Sequence, residues 1–136
     1  MFRVMGPYKN LTVWQKAMML TKEVYAVTCS FPNTENYGLV SQMRRCVVSI
    51  PSNIAEGYGR GSNRDLVHFL YNSLGSSNEL ETQLLLSHEF GYISDDKSDM
   101  LIELNSEVNK MLSSLIYKRT LAADANLTSQ PDTSQP

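Results

Sequence analysis

Two histidines and two cysteines are the side chains of this sequence best suited to nucleophilic, acid–base or soft-metal chemistry. None of the four sits in a recognisable chemical motif. Metal centres in helical bundles need Glu-x-x-His pairs projecting inward, and Glu79, Glu81 and Glu89 each lack a histidine three residues on. His68 reads as a surface or interfacial residue and His88 as one near a helix end. Cys29 and Cys46 lack the CxxC spacing of metal and redox sites and read as two free buried thiols. A nucleophile needs a base beside it and an acid to orient that base; the many serines have no such company. The expectation is a protein with no catalytic residue, no metal ligand and no cofactor, and so not an enzyme.

Three polar constellations remain. Gly57-x-Gly59-x-Gly61 has the spacing of a phosphate loop, but it lacks the Gly-Lys-Ser/Thr ending and follows a helical pattern instead of a strand. It reads as a helix–helix connection whose backbone can still face an anion, with Arg60 and Arg64 flanking it. Arg45, Ser49, Ser52 or Asn53, and Glu56 recur along one helix face. Arg45 and Glu56 are too far apart to pair within a straight helix, so this is either a solvated face or one that pairs with a neighbouring helix or subunit. Gly75-Ser76-Ser77-Asn78-Glu79 places a glycine mid-helix, which costs about 1 kcal/mol relative to alanine. Close approach of another helix at Gly75 is the expected return, with Glu79 and Glu81 brought near Arg44 or Arg45.

The elements that must position these residues follow from apolar period. Residues 1–10 read as an irregular lead-in. Thr12 and Gln15 have the form of a capping box, and a helix follows to about Ser30. Trp14, Met18, Thr21, Tyr25 and Thr28 line one side of it; Val13, Ala17, Leu20 and Val27 extend the apolar surface. The surplus at steps of seven (Val13, Leu20, Val27) suggests a subunit interface. The next segment opens at Thr34-Glu35-Asn36 and carries Leu39, Met43, Cys46 or Val47, Ile50 and Ile54. Pro51 falls inside this run and predicts a kink, not a stop, because the period continues past it. A third helix starts at Ser62-Asn63-Arg64-Asp65 and runs to about Phe90, with Leu66, Phe69 or Leu70, Ser73 or Leu74, Ser77, Leu80, Leu84 and His88 inside. A fourth starts at Ser94-Asp95-Asp96 with Leu101, Leu104, Val108, Met111 or Leu112, and Leu115 inside, and Lys118-Arg119 suit its negative end.

Short links between long helices predict an all-α, up-down-up-down antiparallel four-helix bundle over residues 11–120. Residues 121–136 are poor in large apolar side chains and read as a disordered tail. The chain is 42% hydrophobic, enough for one core. Its longest apolar run, Leu84–Leu86, is far too short to cross a membrane. The first residues lack a secretory apolar stretch, so a cytoplasmic location is expected. Net charge is −2, which argues against a generic nucleic-acid binder. Residues 1–64 nevertheless hold eight basic and three acidic side chains, a net of +5, and residues 65–136 hold four and eleven, a net of −7.

These residues also form a pattern. It runs from Asn10-Leu11-x-Val13-Trp14-Gln15-Lys16-Ala17-Met18 through Tyr37-Gly38-Leu39 and Gln42-x-Arg44-Arg45. Ser49-Ile50-Pro51-x-Asn53-Ile54-Ala55-Glu56-Gly57 and Gly75-Ser76-x-x-Glu79-Leu80-Glu81-Thr82-Gln83-Leu84 complete it. Over about residues 8–116 the chain resembles the bacterial four-helix bundle family of the 23S rRNA intervening-sequence protein, whose founding members are encoded within insertions in large ribosomal RNA genes. The resemblance implies a ring-like homopentamer, with Ser49, Asn53, Glu56, Gly57, Gly75, Ser76 and Glu79 as structural or assembly positions. It implies a non-enzymatic interaction scaffold in a nucleoprotein context. Through the related accessory variability protein of diversity-generating retroelements, it also implies a reverse-transcriptase-type protein partner and direct RNA or DNA binding on a basic surface. In this chain Arg44, Arg45, Arg60 and Arg64 are the residues left to make such phosphate contacts.

Overall fold

The computed structural model describes residues 7–129. Four α-helices follow a 3-10 turn at Pro7–Asn10: α1 Thr12–Thr28, α2 Leu39–Tyr58, α3 Asn63–Glu89 and α4 Asp95–Ser129, with a second 3-10 turn at Asn33–Glu35. No strand occurs among the described residues. Each helix packs on two neighbours, α1 and α3 both lying between α2 and α4. Successive helices run antiparallel, so the bundle is up-down-up-down.

Heptad spacing builds the core. Val40, Met43, Val47, Ile50, Ile54 and Gly57 alternate at three and four along α2, and all are buried. Leu66, Leu70, Ser73, Ser77, Leu80, Leu84 and Ser87 do the same along α3. This repeat keeps one stripe facing its neighbours over many turns. The third helix therefore places Ser87 in the core, and His88, expected inside, lies half-buried at the edge, where Nε2 meets Asp95 Oδ1 at 2.6 Å across the α3–α4 turn.

On α1 the inner stripe is Val13, Ala17, Leu20, Val24 and Thr28. The surplus stripe is thus the core stripe, and the interface expected from it is withdrawn. The helical phase was read one residue off. Trp14 and Met18 are half-buried at its margin, and Tyr25 is exposed beneath the guanidinium of Arg44, 4.7 Å from the ring centroid. The Thr12 capping box is also absent. Leu11 occupies the N-cap in extended backbone, and Gln15 Nε2 donates instead to the Lys9 carbonyl (2.9 Å) because the preceding 3-10 turn brings it there.

The second helix starts at Leu39, five residues later than its expected opening. The 3-10 turn carries Glu35 back so that its Oε2 accepts the Leu39 N–H at 3.1 Å. The helix continues through Pro51. Proline has no N–H, so the carbonyl of Val47 loses its helical partner. Thr21 of α1 approaches it with Oγ1 at 3.3 Å, sharing its donor with the Ala17 carbonyl at 2.8 Å. Around the same turn Ser49 Oγ donates to the Cys46 carbonyl (2.6 Å), Asn53 Nδ2 to Ser49 (2.8 Å) and Ser73 Oγ of α3 to Ile50 (2.8 Å). Four side chains thus bond carbonyls in the turn that proline weakens.

On α4 the buried stripe includes Asn105, 1% exposed, where Leu104 was expected. The Ser77 hydroxyl donates to Asn105 Oδ1 (2.9 Å), and Asn105 Nδ2 donates to the Ser77 carbonyl (3.0 Å). Asn109 Nδ2 adds bonds to Ser77 Oγ and Asn78 Oδ1. A satisfied buried polar pair fixes one register of α3 against α4, since a slip leaves both unpaired. The helix also runs on to Ser129, nine residues past the expected end near 120, because Ala122, Ala123 and Ala125 are strong helix formers. Of the expected tail, residues 130–136 lie outside the described residues, as do residues 1–6 of the lead-in.

Candidate functional site

Three of the family-motif residues, Ser49, Ser76 and Glu79, come together on the outer face of α2 and α3. There Gln42, Arg45, Cys46 and Ser49 from α2 and Ser76 and Glu79 from α3 line a groove of about 560 Å³. The antiparallel register builds it, since Ser49 and Ser76 hydroxyls meet at 2.5 Å and Cys46 Sγ donates to the Ser76 carbonyl at 3.0 Å. Burial first, then the charge of Glu79, pushes the Cys46 thiol up to about 12. It stays protonated at neutral pH, and a thiol is a poor nucleophile. Gln83 is buried beside the groove. Its Nε2 donates to Glu79 Oε1 (3.3 Å), and its Oε1 has no hydrogen-bond partner. The Arg45 side chain is exposed and makes no hydrogen bond, ion pair or ring contact among the described residues. Arg45 and Glu79 therefore face one groove without pairing.

Gly75 is exposed on this face, and a Cβ built there meets nothing within 4 Å. The tight helix contact expected at Gly75 is absent within the protomer. It occurs at Gly57, where a Cβ would lie 2.8 Å from Leu66 Cδ1 and 3.0 Å from Phe69 Cβ. The reason is geometric: Gly57 lies on the inner stripe of α2, one turn from the α2–α3 connection, where the two backbones converge.

The four arginines do not form one cluster. Arg44 turns toward α1, donating from Nε to Thr28 Oγ1 (3.0 Å) and from Nη2 to the Tyr25 carbonyl (3.3 Å). Arg45 faces the α2–α3 groove. Arg60 lies roughly 20 Å further along the helix axis, given a rise of about 1.5 Å per residue. It pairs with Glu56 at 2.6 Å and stacks over Phe69 at 4.9 Å. Arg64 is exposed as the second residue of α3. Neither Arg44 nor Arg45 meets Glu81, which is exposed.

The structure brings a different arginine to Arg60. Arg119 of α4 reaches the α2–α3 turn, with Nη1 3.4 Å from Asn63 Oδ1 and Nη2 3.5 Å from the Tyr58 hydroxyl. The sequence reading had placed Arg119 only as a helix-end charge. A signal was present: α3 and α4 pair as mirror images about Gly91, as the contacts of His88 with Asp95 and of Ser77 with Asn105 show. The same mirror sets residue 119 opposite residue 63. A cavity of about 220 Å³ opens there, lined by residues that include Arg60, Ser62, Asn63 and Arg119.

Among the described residues no group of three or more His, Cys, Asp or Glu side chains could hold a metal ion. No described helix is long and apolar enough to cross a membrane.

Residues 9–114 match the family model described as 23S rRNA-intervening sequence protein. Among solved structures the chain is similar to a protein of unknown function from the S23 ribosomal protein family of Bacteroides thetaiotaomicron. The two are 25% identical with a TM-score of 0.70, over 77% of this chain and 98% of that one. No curated protein matches the chain.

Proposed function

The chain belongs to the 23S rRNA-intervening sequence protein family, and from that premise we propose that it is a non-enzymatic assembly protein. It forms a homo-oligomer, a ring of five as the resemblance implies, and serves as an interaction scaffold in a nucleoprotein setting. One observation carries this reading. Gly75 leaves open space mid-helix near the α2–α3 groove that Arg45 and Glu79 flank without forming an ion pair with each other. The protomer receives no packing in return for a glycine that weakens α3. A second copy laid on this face fills the space and pairs with Arg45 and Glu79.

Sedimentation velocity on wild type, Gly75→Leu and Arg45→Glu tests it. The expected result is an oligomer for wild type and smaller particles of unchanged helicity for both variants. A wild-type monomer at micromolar concentration rejects the reading. Direct RNA or DNA binding, beside a reverse-transcriptase-type partner, is the second reading, favoured by the basic residues around the α2–α3 turn. Filter binding at low salt with Arg→Ala variants at Arg44, Arg45, Arg60 and Arg64 tests it. Affinity that falls only with Arg60 and Arg64 locates it at that end; no binding rejects it.

A further inference from the structure

The two ends of the bundle differ in charge. Around the α2–α3 turn and the neighbouring stretches of α1 and α4 stand Lys9, Arg60, Arg64, Lys118 and Arg119, against Glu56, Asp65 and Asp124. At the opposite end Glu23, Glu35, Glu89, Asp95, Asp96 and Asp99 stand against Lys22, Arg44 and Lys97. The cavity lined by Arg60 and Arg119 opens at the basic end.

Arg119 is half-buried, stacked 5.6 Å over Tyr58, and its hydrogen bonds are two long ones to neutral oxygens. No carboxylate pairs with it among the described residues. Partial burial of a cation without a counter-ion is unfavourable, and an anion in the cavity relieves it. Arg60 spends one amino group on Glu56, an exposed pair that contributes little, and its other donors remain open. A planar guanidinium grips an oxyanion through two parallel bonds. Two such forks, one from the α2–α3 turn and one from α4, need four acceptor sites. A carboxylate crowds these onto two oxygens in one plane, whereas a phosphate group spreads them over three or four.

We propose that this cavity binds a phosphate group, held between Arg60 and Arg119 with Ser62 and Asn63 at its rim. The site goes beyond the assembly reading and does not depend on it, because it lies away from the α2–α3 groove. The phosphate source is either a free phosphorylated small molecule or a nucleic-acid backbone.

The test uses the full chain at constant ionic strength. Amide and arginine Nε resonances are followed during titration with inorganic phosphate, and a short single-stranded RNA is titrated by fluorescence anisotropy. Saturable shifts at Arg60, Gly61, Asn63 and Arg119 are expected, weakened at least about tenfold by Arg119→Gln or Arg60→Gln, the scale of one lost charge-assisted bond. Arg119→Gln should melt near wild type, because the bonds it loses are long, and should leave the particle mass unchanged. Tighter RNA binding with the same sensitivity identifies a nucleic-acid backbone, and phosphate binding without RNA binding identifies a small molecule. No saturation with either probe, or binding indifferent to both substitutions, overturns the site.

Discussion

Gly57 and Gly75 make the sharpest test of how this bundle is packed. Both lie inside helices, so alanine at either position gains about 0.8–1 kcal/mol of intrinsic helix propensity. At Gly75 nothing opposes the gain, since the new Cβ meets nothing within 4 Å. Gly75→Ala should therefore stabilise the isolated protomer by about 0.5–1 kcal/mol. At Gly57 the Cβ lands 2.8 Å from Leu66 Cδ1, 3.0 Å from Phe69 Cβ and 3.4 Å from the Leu66 carbonyl. Leu66 is buried, and Phe69 Cβ moves only with the α3 backbone, so the helices must separate. Overpacking of this kind costs about 1–3 kcal/mol. Because one clash is with backbone-borne Phe69 Cβ, the cost falls in the upper half of that range, about 2–3 kcal/mol; subtracting a propensity gain of about 1 kcal/mol leaves Gly57→Ala less stable by about 1–2 kcal/mol, roughly 3–7 °C in melting temperature for a chain of this size. Urea unfolding followed by helical circular dichroism, on protein diluted below assembly, reads both changes. A Gly57→Ala protein as stable as wild type, or a Gly75→Ala protomer that unfolds earlier, would refute the reasoning.

Other expectations follow from single contacts. Thr21→Val should cost about 1 kcal/mol, because the Val47 carbonyl opposite Pro51 loses its donor. In a Pro51→Ala background the restored N–H takes over and the cost should shrink; a double-mutant cycle with no coupling contradicts this role. Asn105→Ala should destabilise by about 1–3 kcal/mol by stripping partners from buried Ser77, and a surface-like loss in urea unfolding would argue against the register lock. Cys46 is buried as expected, but Cys29, also expected buried, is exposed just past the end of α1, so iodoacetamide at pH 8 should label Cys29 and leave Cys46 unreacted until the chain unfolds; equal rates at both count against the assignment. The Cys46 thiol is raised from 9.0 to about 12 in the folded chain. Its contribution to stability is then whole below pH 9 and lost as pH climbs toward 12, and a flat profile across that window contradicts it.

Much of the fold was legible because periodicity is local. The stripe of α2 reads directly from Leu39 to Ile54, and its passage through Pro51 follows from the period continuing beyond it. The start of α3 was legible for the same reason: Ser62 Oγ accepts the Asp65 N–H at 3.2 Å, a cap spanning three residues. The motif residues Ser49 and Asn53 were visible as a group, but their work was not. They bond carbonyls around Pro51, and that became clear only once Thr21 and Ser73 were seen beside them from other helices.

By itself, then, the sequence determined four amphipathic helices and, through the short links between them, their antiparallel order, since each depends on residues close together in the chain. Only the tertiary structure decided which of two apolar stripes on α1 faces inward, that Gly57 and not Gly75 is the close contact, and that Arg60 and Arg119 line one cavity while Arg44 and Arg45 part. Those outcomes depend on the relative phase and register of helices far apart in the chain. A rotation by one residue, about 100° around a helix axis, exchanges core for surface without altering the pattern from which it is read.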